Sequence, residues 1–284
     1  MIIKNNTPIE IYQVKGRAIH VKREDLCVLP PGPPFSKCRG LFAKLSTLKA
    51  TGTKVIGYVE TPISMAGWGV ACLAKQLDMK AVIFEPQYAG EHPATFDAHK
   101  KMWNQFEPDI LPVKAGRTCV NVYICTKVLH AKYGSDAVML PTGIPFEETV
   151  NETAKEWQRT VRRFQPDATV ICVGSGTICA GVLKGMTKDN GKLIGIMAYS
   201  KNKKKKIKTI WRKAGKYQTG FFAAGIDFVL IDPKWEYTEQ CESPCPFPCH
   251  SYYDLKAWQW LVENIDSMPN NILFWNIGSE HGLL

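Results

Sequence analysis

A glycine-rich turn is the clearest anion-binding motif in the sequence. Gly174, Ser175, Gly176 and Thr177 follow the apolar run TVICV and precede an apolar helical pattern. Glycines let a backbone approach an anion closely, and a helix N-terminus supplies N–H groups and a favourable dipole. A dinucleotide fingerprint would need a small residue in place of Cys179 and an acid about 20 residues later, and a Walker loop would need Gly-Lys-Ser/Thr. The motif therefore indicates a phosphate site, with a plain strand-to-helix turn as the alternative.

A second motif is a concentrated run of positive charge. Residues 201–216 contain nine Lys or Arg and no acid, whereas the rest of the chain holds 27 basic and 26 acidic residues, so the net charge of +10 is local. Ile207, Ile210 and Trp211 are interleaved with the charges, as expected for a segment that lies on a polyanion. A solvated surface is the alternative. The candidate nucleic-acid-binding residues are Lys203, Lys204, Lys205, Lys206, Lys208, Arg212 and Lys213.

The elements that must position these motifs alternate from about residue 54. Short β-branched runs such as KVIGYVE, KAVIFEP, TVICVG and KLIGIMAYS alternate with amphipathic helical stretches. This alternation predicts βαβ units, a mainly parallel sheet and ligand sites at the carboxyl ends of strands. The lysine run directly follows KLIGIMAYS, the next strand after the helix that starts at the glycine turn. We therefore expect the run and the turn to open on the same edge of the sheet.

Length and composition indicate a globular protein of one large or two modest domains. The first residues lack the apolar stretch of a signal peptide, and no run approaches the roughly 18 apolar residues of a membrane span, so we expect a cytoplasmic protein with no membrane partner. The spacing of Cys241, Cys245, Cys249 and His250 fits no zinc pattern, and no metal is expected. Buried free thiols in a reduced compartment are expected because five of the ten cysteines lie in apolar segments: Cys72, Cys119, Cys125, Cys172 and Cys179.

Four ordered segments resemble the fold type II, or tryptophan synthase β-like, pyridoxal-phosphate enzyme family. They are Thr7-Pro8-Ile9 with the strand IHVKREDL (19–26), the helix start PGPPFSKCRG (31–40), the glycine turn, and the closing segments YDLKA (253–257) and ILFWNIGS (272–279). The closing segments are similar to the aminocyclopropane-carboxylate deaminase and D-cysteine desulfhydrase branch, near threonine synthase. The resemblance covers nearly the whole chain. It implies a two-domain, three-layer αβα fold, with a large cofactor-binding domain at 1–50 and 141–284 and a small domain at 51–140.

The resemblance implies pyridoxal 5'-phosphate as the cofactor and Lys37 as the lysine that carries it. An amine near a helix N-terminus in an apolar setting has its neutral form favoured, which covalent attachment to an aldehyde requires. Residues 174–177 would hold the cofactor phosphate, and Tyr253 would be a second catalytic residue. Ile277 stands where the deaminase branch has a hydroxyl residue facing the pyridine nitrogen, so Ser279 or Asn276 is expected to take that place.

The loop that grips the substrate carboxylate in the family departs from its pattern here. The corresponding stretch contains the candidate substrate-binding residues Thr61, Ser64 and Met65, and Met65 replaces an Asn that contacts the cofactor ring. An apolar side chain beside a carboxylate favours loss of that charge. The altered loop therefore favours decarboxylation over the usual binding of a free amino acid.

Together these features predict a pyridoxal-phosphate-dependent lyase that acts at Cα of an amino acid, most simply a decarboxylase. The basic run suggests that this amino acid is attached to thymidine in double-stranded DNA, by analogy with the decarboxylases of bacteriophages that hypermodify thymidine. A homodimer is expected. The alternatives are a deaminase, desulfhydrase or β-replacement enzyme on a free amino acid, and a binding protein that keeps the fold without the cofactor.

Overall fold

Two β-sheets organise the chain in a computed structural model, which describes residues 3–88, 90, 94–218, 221–222 and 225–280. The larger sheet contains strands β1 (Ile9–Val14), β2 (Arg17–Arg23), β7 (Ala168–Val173), β8 (Lys192–Met197), β11 (Asp227–Ile231) and β12 (Ile272–Asn276). Their order is β1-β2-β12-β7-β8-β11. The β1–β2 hairpin is antiparallel, and every other pairing of this sheet among the described residues is parallel. Its C-terminal edge therefore gathers the strand ends at which ligands bind.

The smaller sheet is parallel throughout its described pairings. It contains β3 (Val55–Val59), β4 (Lys80–Gln87), β5 (Asp109–Lys114) and β6 (Ala137–Met139), in the order β5-β4-β3-β6. A short antiparallel pair, β9 (Tyr217–Gln218) and β10 (Phe221–Phe222), lies outside both sheets. The predicted α/β class with mainly parallel sheets is confirmed. All four strands of the smaller sheet come from 51–140, while the domain boundaries themselves stay a prediction.

Eight α-helices connect and flank the strands in the described part of the chain. They are α1 (Cys38–Ala50), α2 (Ala66–Gln76), α3 (Ala94–Asn104), α4 (Thr118–Tyr133), α5 (Glu147–Val161), α6 (Thr177–Gly185), α7 (Lys203–Lys213) and α8 (Asp254–Glu263). Helices of this kind are the crossovers that parallel strands need. The lysine run forms α7, and the side chain of Asn202 accepts a hydrogen bond from the Lys205 amide and so caps its first turn.

The central strands of the two sheets are apolar and inaccessible to solvent. All residues of β3 and β7 are buried, as expected for parallel strands covered on both faces. The predicted buried cysteines Cys72, Cys125, Cys172 and Cys179 are buried free thiols, whereas the side chain of Cys119 lies outside the described residues. No described helix is both long enough and apolar enough to cross a membrane.

Helix α5 packs against both α1 and α6 through two glycines. A Cβ atom at Gly40 of α1 would lie 2.2 Å from Thr149 Cα, and one at Gly181 of α6 would lie 2.4 Å from Thr153 Cβ. Either distance is shorter than real side chains allow, so both glycines are needed for this close approach. Since α1 follows Lys37 and α6 starts in the glycine turn, α5 fixes the spacing between the two motifs.

A buried ion-pair network anchors the start of α1. The Lys22 ammonium lies 2.7 Å from a Glu156 carboxylate oxygen, and the Arg39 guanidinium contacts Glu24 with two nitrogens. All four side chains are almost inaccessible. Glu156 also accepts a hydrogen bond from the Thr7 amide at 3.0 Å. The strand IHVKREDL thus supplies charges that tie α1, α5 and the N-terminal segment together.

Candidate active site

A cavity of about 330 Å³ opens where the two sheets meet, at the N-termini of α1, α6 and α8. Lys37, Tyr253 and residues 174–177 all line it, as do the loop residues Thr61, Ser64 and Met65. The structure therefore brings together motifs separated by more than 200 positions in the sequence. Their assigned roles stay predictions.

The Lys37 side chain reaches the glycine turn across the cavity. Its ammonium nitrogen lies 3.0 Å from the carbonyl oxygen of Gly143 and 3.3 Å from Ser175 Oγ. Burial lowers the pKa of Lys37 to about 8, and the positive charges of Lys213 and Lys206 add to the effect. The neutral, nucleophilic form of this amine is therefore far more populated near neutral pH than that of an ordinary lysine.

The glycine turn joins the end of β7 to the first residue of α6. Gly176 has φ of +81°, a left-handed conformation that glycine adopts without steric cost. Ser175 Oγ and Thr177 Oγ1 lie 3.1 Å apart, and both residues line the cavity with Lys37. The first N–H groups of a helix lack partners within it and are available to an anion. The geometry therefore suits a phosphate group.

Helix α7 divides the lysine run into two sets. Lys206 and Lys213 turn inward: Lys206 Nζ lies 2.7 Å from the Gly174 carbonyl oxygen, and Lys213 Nζ lies 2.8 Å from Thr177 Oγ1. The other five candidates are exposed to solvent: Lys203, Lys204, Lys205, Lys208 and Arg212. The run was predicted as one nucleic-acid surface, but two of its members lie against the glycine turn instead. Nucleic-acid binding by the exposed set stays a prediction.

The loop before α2 is held by a buried acid. Glu60 accepts hydrogen bonds from the Thr61 amide at 2.8 Å and the Gly67 amide at 2.6 Å, and burial raises its pKa to about 8. Ser64 Oγ accepts a hydrogen bond from the Ala66 amide at 3.1 Å. Met65 is 3% exposed and lies against the turn at Gly278, where a Cβ atom would be 3.2 Å from Met65 Cε. Met65 therefore gives this wall of the cavity an apolar surface.

The start of α8 places polar groups on the opposite wall. The Tyr253 hydroxyl lies 3.4 Å from that of Tyr237, and burial raises the pKa of Tyr253 well above its usual value, so the hydroxyl keeps its proton. Asp254 accepts a hydrogen bond from the Ile277 amide at 3.0 Å, and burial raises its pKa to about 8. Asp254 is the single carboxyl group among the described residues that line this cavity. Sequence reasoning missed it, although it directly follows Tyr253 in the closing motif.

Asn276 and Ser279, the two candidates for the pyridine nitrogen, do not line the cavity in the described structure. The Asn276 side chain donates a hydrogen bond to the Pro248 carbonyl oxygen at 2.9 Å. Ser279 is fully buried, and its amide donates to the Pro34 carbonyl oxygen at 3.1 Å. Both residues hold the last turn against its neighbours. Their assignment as cofactor-binding residues stays a prediction. Asp254, which lies beside this turn, faces the cavity.

A second, outer cavity of about 560 Å³ adjoins the first. The two share Thr61, Thr142, Tyr199, Lys201 and Tyr237, so they form one continuous space. Tyr88 and Glu60 also line the outer part. Its three tyrosines provide aromatic faces and hydroxyl groups on the route to Lys37, and none of them was identified from the sequence.

These features fit pyridoxal phosphate. The group carries an aldehyde and a dianionic phosphate, and the cavity offers a partly neutral lysine amine 3.3 Å from the hydroxyl of a glycine-rich helix start. In the described salt bridges neither Lys206 nor Lys213 has an acidic partner. A site with this charge and this nucleophile is matched to an anionic aldehyde.

Comparison with known proteins identifies the family. No family model matches the chain. It is 35% identical over 290 residues to the glycyl-dTMP PLP-dependent decarboxylase of Pseudomonas phage M6, with 98% of this chain and all of that protein covered. The fold matches a homologue of ACC deaminase with a TM-score of 0.77 at 18% identity, covering 98% of this chain and 90% of that one. A hydrogen sulfide-producing enzyme of Fusobacterium nucleatum matches with a TM-score of 0.67 at 13% identity, covering 100% and 98%. The chain therefore has the fold type II architecture and belongs to the family of pyridoxal-phosphate-dependent decarboxylases that includes the phage M6 enzyme.

Proposed function

We propose that this enzyme removes carbon dioxide from a glycyl group carried on thymidine in phage DNA. The observation that supports this most is the 35% identity to a decarboxylase whose name gives glycyl-dTMP as its substrate, over 98% of this chain and all of that protein. The apolar wall at Met65 and the exposed lysines of α7 agree with it. The enzyme would act in the cytoplasm of the infected cell, and a homodimer stays a prediction.

Lys37 and the turn at residues 174–177 would hold the cofactor. When bound, pyridoxal phosphate supplies an electron sink for the electron pair left at Cα after carbon dioxide departs. Lys37 Nζ, with its pKa near 8, can accept and return a proton at the reacting carbon in the neutral pH range. The protonated hydroxyl of Tyr253, beside Tyr237, is the second group able to donate a proton there.

Asp254 would set the electronic state of the cofactor. Its carboxyl group is tied to the Ile277 amide in the turn where the resemblance places the partner of the ring nitrogen. A carboxyl with a pKa of about 8 can share a proton with a basic nitrogen, which strengthens the electron sink. Met65, on the other wall, would exclude water from the carboxylate that leaves.

The outer cavity would receive the thymine base. A base must leave the duplex to reach a buried site, and enzymes of this kind place it in a pocket between aromatic side chains. Tyr88, Tyr199 and Tyr237 line a space that leads into the inner cavity. The glycyl group would then extend inward toward Lys37. The exposed lysines of α7 would bind the DNA backbone beside the opening.

The alternative activity on a free amino acid has less support. The deaminase homologue and the hydrogen sulfide-producing enzyme share only 18% and 13% identity with this chain, so their likeness concerns the fold alone. Met65 stands at the Asn position of the loop that grips a free amino-acid carboxylate in the family. Substrate comparison separates the two activities.

The test compares three substrates: glycyl-dTMP, duplex DNA carrying glycyl-thymidine, and free glycine. We expect mass spectrometry to show loss of carbon dioxide, with the nitrogen retained, from the first two and far less turnover of the third. Protein reduced with borohydride after cofactor loading is the control, since it keeps the fold and blocks Lys37. Release of ammonia, or preferred turnover of free amino acids, would instead place the enzyme with the deaminases.

A further inference from the structure

Helix α7 brings two lysines onto the back of the glycine turn. Lys206 donates to the Gly174 carbonyl oxygen at 2.7 Å, and Lys213 reaches the Ser175 carbonyl oxygen at 3.4 Å and Thr177 Oγ1 at 2.8 Å. The two lysines are seven positions apart, so they lie on one face of the helix. Ile210, between them, packs on the turn, where a Cβ atom at Gly176 would lie 2.8 Å from its Cγ1. The packing of Ile210 fixes this face of α7, which carries both lysines, against the turn.

No described salt bridge pairs Lys206 or Lys213 with an acid. Both side chains are partly buried. Burial together with Lys201 and Lys213 lowers the pKa of Lys206 to about 8, and burial lowers the pKa of Lys213. With Lys37, which contacts Ser175 Oγ, three lysines converge on the four residues of the turn. Partly buried cations of one sign need an anion nearby to offset their desolvation.

The two lysines also determine which side of the turn is free for a ligand. Their ammonium groups use the carbonyl oxygens of Gly174 and Ser175 and thereby offset partial negative charge at the turn. The N–H groups at the N-terminus of α6 then face the cavity, while the partial negative charge of these two carbonyl oxygens is offset by the lysines. This arrangement raises the positive potential at one point of the cavity wall.

We propose that Lys206 and Lys213, from behind the Gly174–Thr177 turn, strengthen through their positive charge the binding of a phosphate monoester at that turn, and that this phosphate belongs to the cofactor. A nucleotide substrate offers the same chemical group, so the source must be tested. The proposal rests on the cofactor and on the site placed under the proposed function, but not on the identity of the substrate. It assigns these two lysines to cofactor retention rather than to DNA binding.

The first experiment measures binding of pyridoxal phosphate to apoenzyme by absorbance titration. Lys206→Met and Lys213→Met remove the charge and keep the aliphatic stem. We expect each to raise Kd about tenfold to a hundredfold, since each removes a charged hydrogen-bond donor from the turn that would hold the phosphate. Lys205→Met is the matched control on the exposed face of α7 and should leave this Kd unchanged. Lys213→Arg keeps the charge and should retain most of the affinity.

The second experiment identifies the source of the phosphate. Pyridoxal, which lacks the phosphate, should bind the native protein and the two Met variants equally at a pH at which the Lys37 amine is neutral in all three proteins. Equal losses for pyridoxal and pyridoxal phosphate would reveal a structural role and overturn the proposal. Unchanged affinity for pyridoxal phosphate, combined with weaker binding of dTMP in calorimetry, would assign the lysines to the substrate and also overturn it. Neither experiment uses decarboxylation, so an error in the proposed substrate would leave both results unaffected.

The third readout is the titration of Lys37. Positive neighbours disfavour the charged form of an amine, so removal of Lys213 or Lys206 should raise the pKa of Lys37 from about 8 toward the ordinary lysine value. The rate at which pyridoxal becomes covalently attached follows the neutral amine, and its pH midpoint should therefore move upward in both Met variants. An unchanged pH midpoint would show that Lys206 and Lys213 do not lower the pKa of Lys37.

Discussion

Two clusters of charged side chains in this enzyme differ in how their charges are balanced. The network of Lys22, Glu24, Arg39 and Glu156 contains two cations and two anions, all buried. The cluster of Lys37, Lys206 and Lys213 contains cations alone at the glycine turn. The charges of the first cluster balance within the chain, and this cluster supports α1. The positive charges of the second cluster call for an anion from a bound ligand. This difference in charge balance distinguishes a structural cluster from a binding cluster.

The largest effect is expected from Lys37→Ala in the unbalanced cluster. It removes the nucleophile and a proton-transfer group together, so turnover should fall by about a thousandfold or more. The visible band of the covalently bound cofactor should vanish while the fold remains, as checked by circular dichroism. Borohydride reduction followed by peptide mapping of the native enzyme should label Lys37. A label on any other lysine would refute the assignment.

The next largest effect is expected in the balanced network. Glu156→Gln removes the nearer of the two carboxylates beside buried Lys22, which should lower the free energy of unfolding by about 3–5 kcal/mol in urea titrations. Adding Lys22→Met removes the stranded charge, and the double variant should lose less than the sum of the two single losses. Glu152→Gln, at a more exposed pair on the same helix, should cost at most about 1 kcal/mol. Strictly additive losses would show that the two charges do not interact.

The smallest effect is expected on the outer face of α7. Replacing Lys203, Lys204, Lys205 and Lys208 by Ala should weaken binding of duplex DNA and flatten its salt dependence, with the log–log slope decreasing by about 0.9 for each phosphate that is no longer neutralised. Cofactor affinity should not change, because these side chains are exposed to solvent rather than turned toward the glycine turn. Fluorescence anisotropy at several salt concentrations is the measurement. Equal DNA binding by the variant would show that the exposed lysines are only a solvated surface.

The parallel sheets could be predicted from the sequence because buried strands such as β3 and β7 are continuous β-branched runs. The β1–β2 hairpin is less visible in the sequence. Its turn residues Lys15 and Gly16 both have positive φ, as a two-residue hairpin turn requires, but only the glycine signals this conformation by its type. Fold type and cofactor were predicted correctly, since both follow from motifs that keep their order along the chain.

The site was only partly predictable. Tyr237 comes from the irregular segment 232–253, where no periodicity indicates which side chains face inward. Asp254 was overlooked although it follows Tyr253, because a single acid at a helix N-terminus is usually explained by its favourable interaction with the helix dipole. The inward direction of Lys206 and Lys213 was predictable in principle, since helical spacing puts them on one face with Ile210. A charge count treats all lysines of a run alike and misses this division.

The glycine packing of α5 has a consequence for how this enzyme can evolve. Thr149 and Thr153 do not line the cavity, yet they abut Gly40 and Gly181 in the helices that begin at Lys37 and at the glycine turn. A bulkier residue at any of these four positions would push the two helix starts apart and change the distance between nucleophile and phosphate site. Drift in substrate preference can therefore accumulate in the loops around the opening, while the spacing that defines the cofactor slot is constrained by a helix interface.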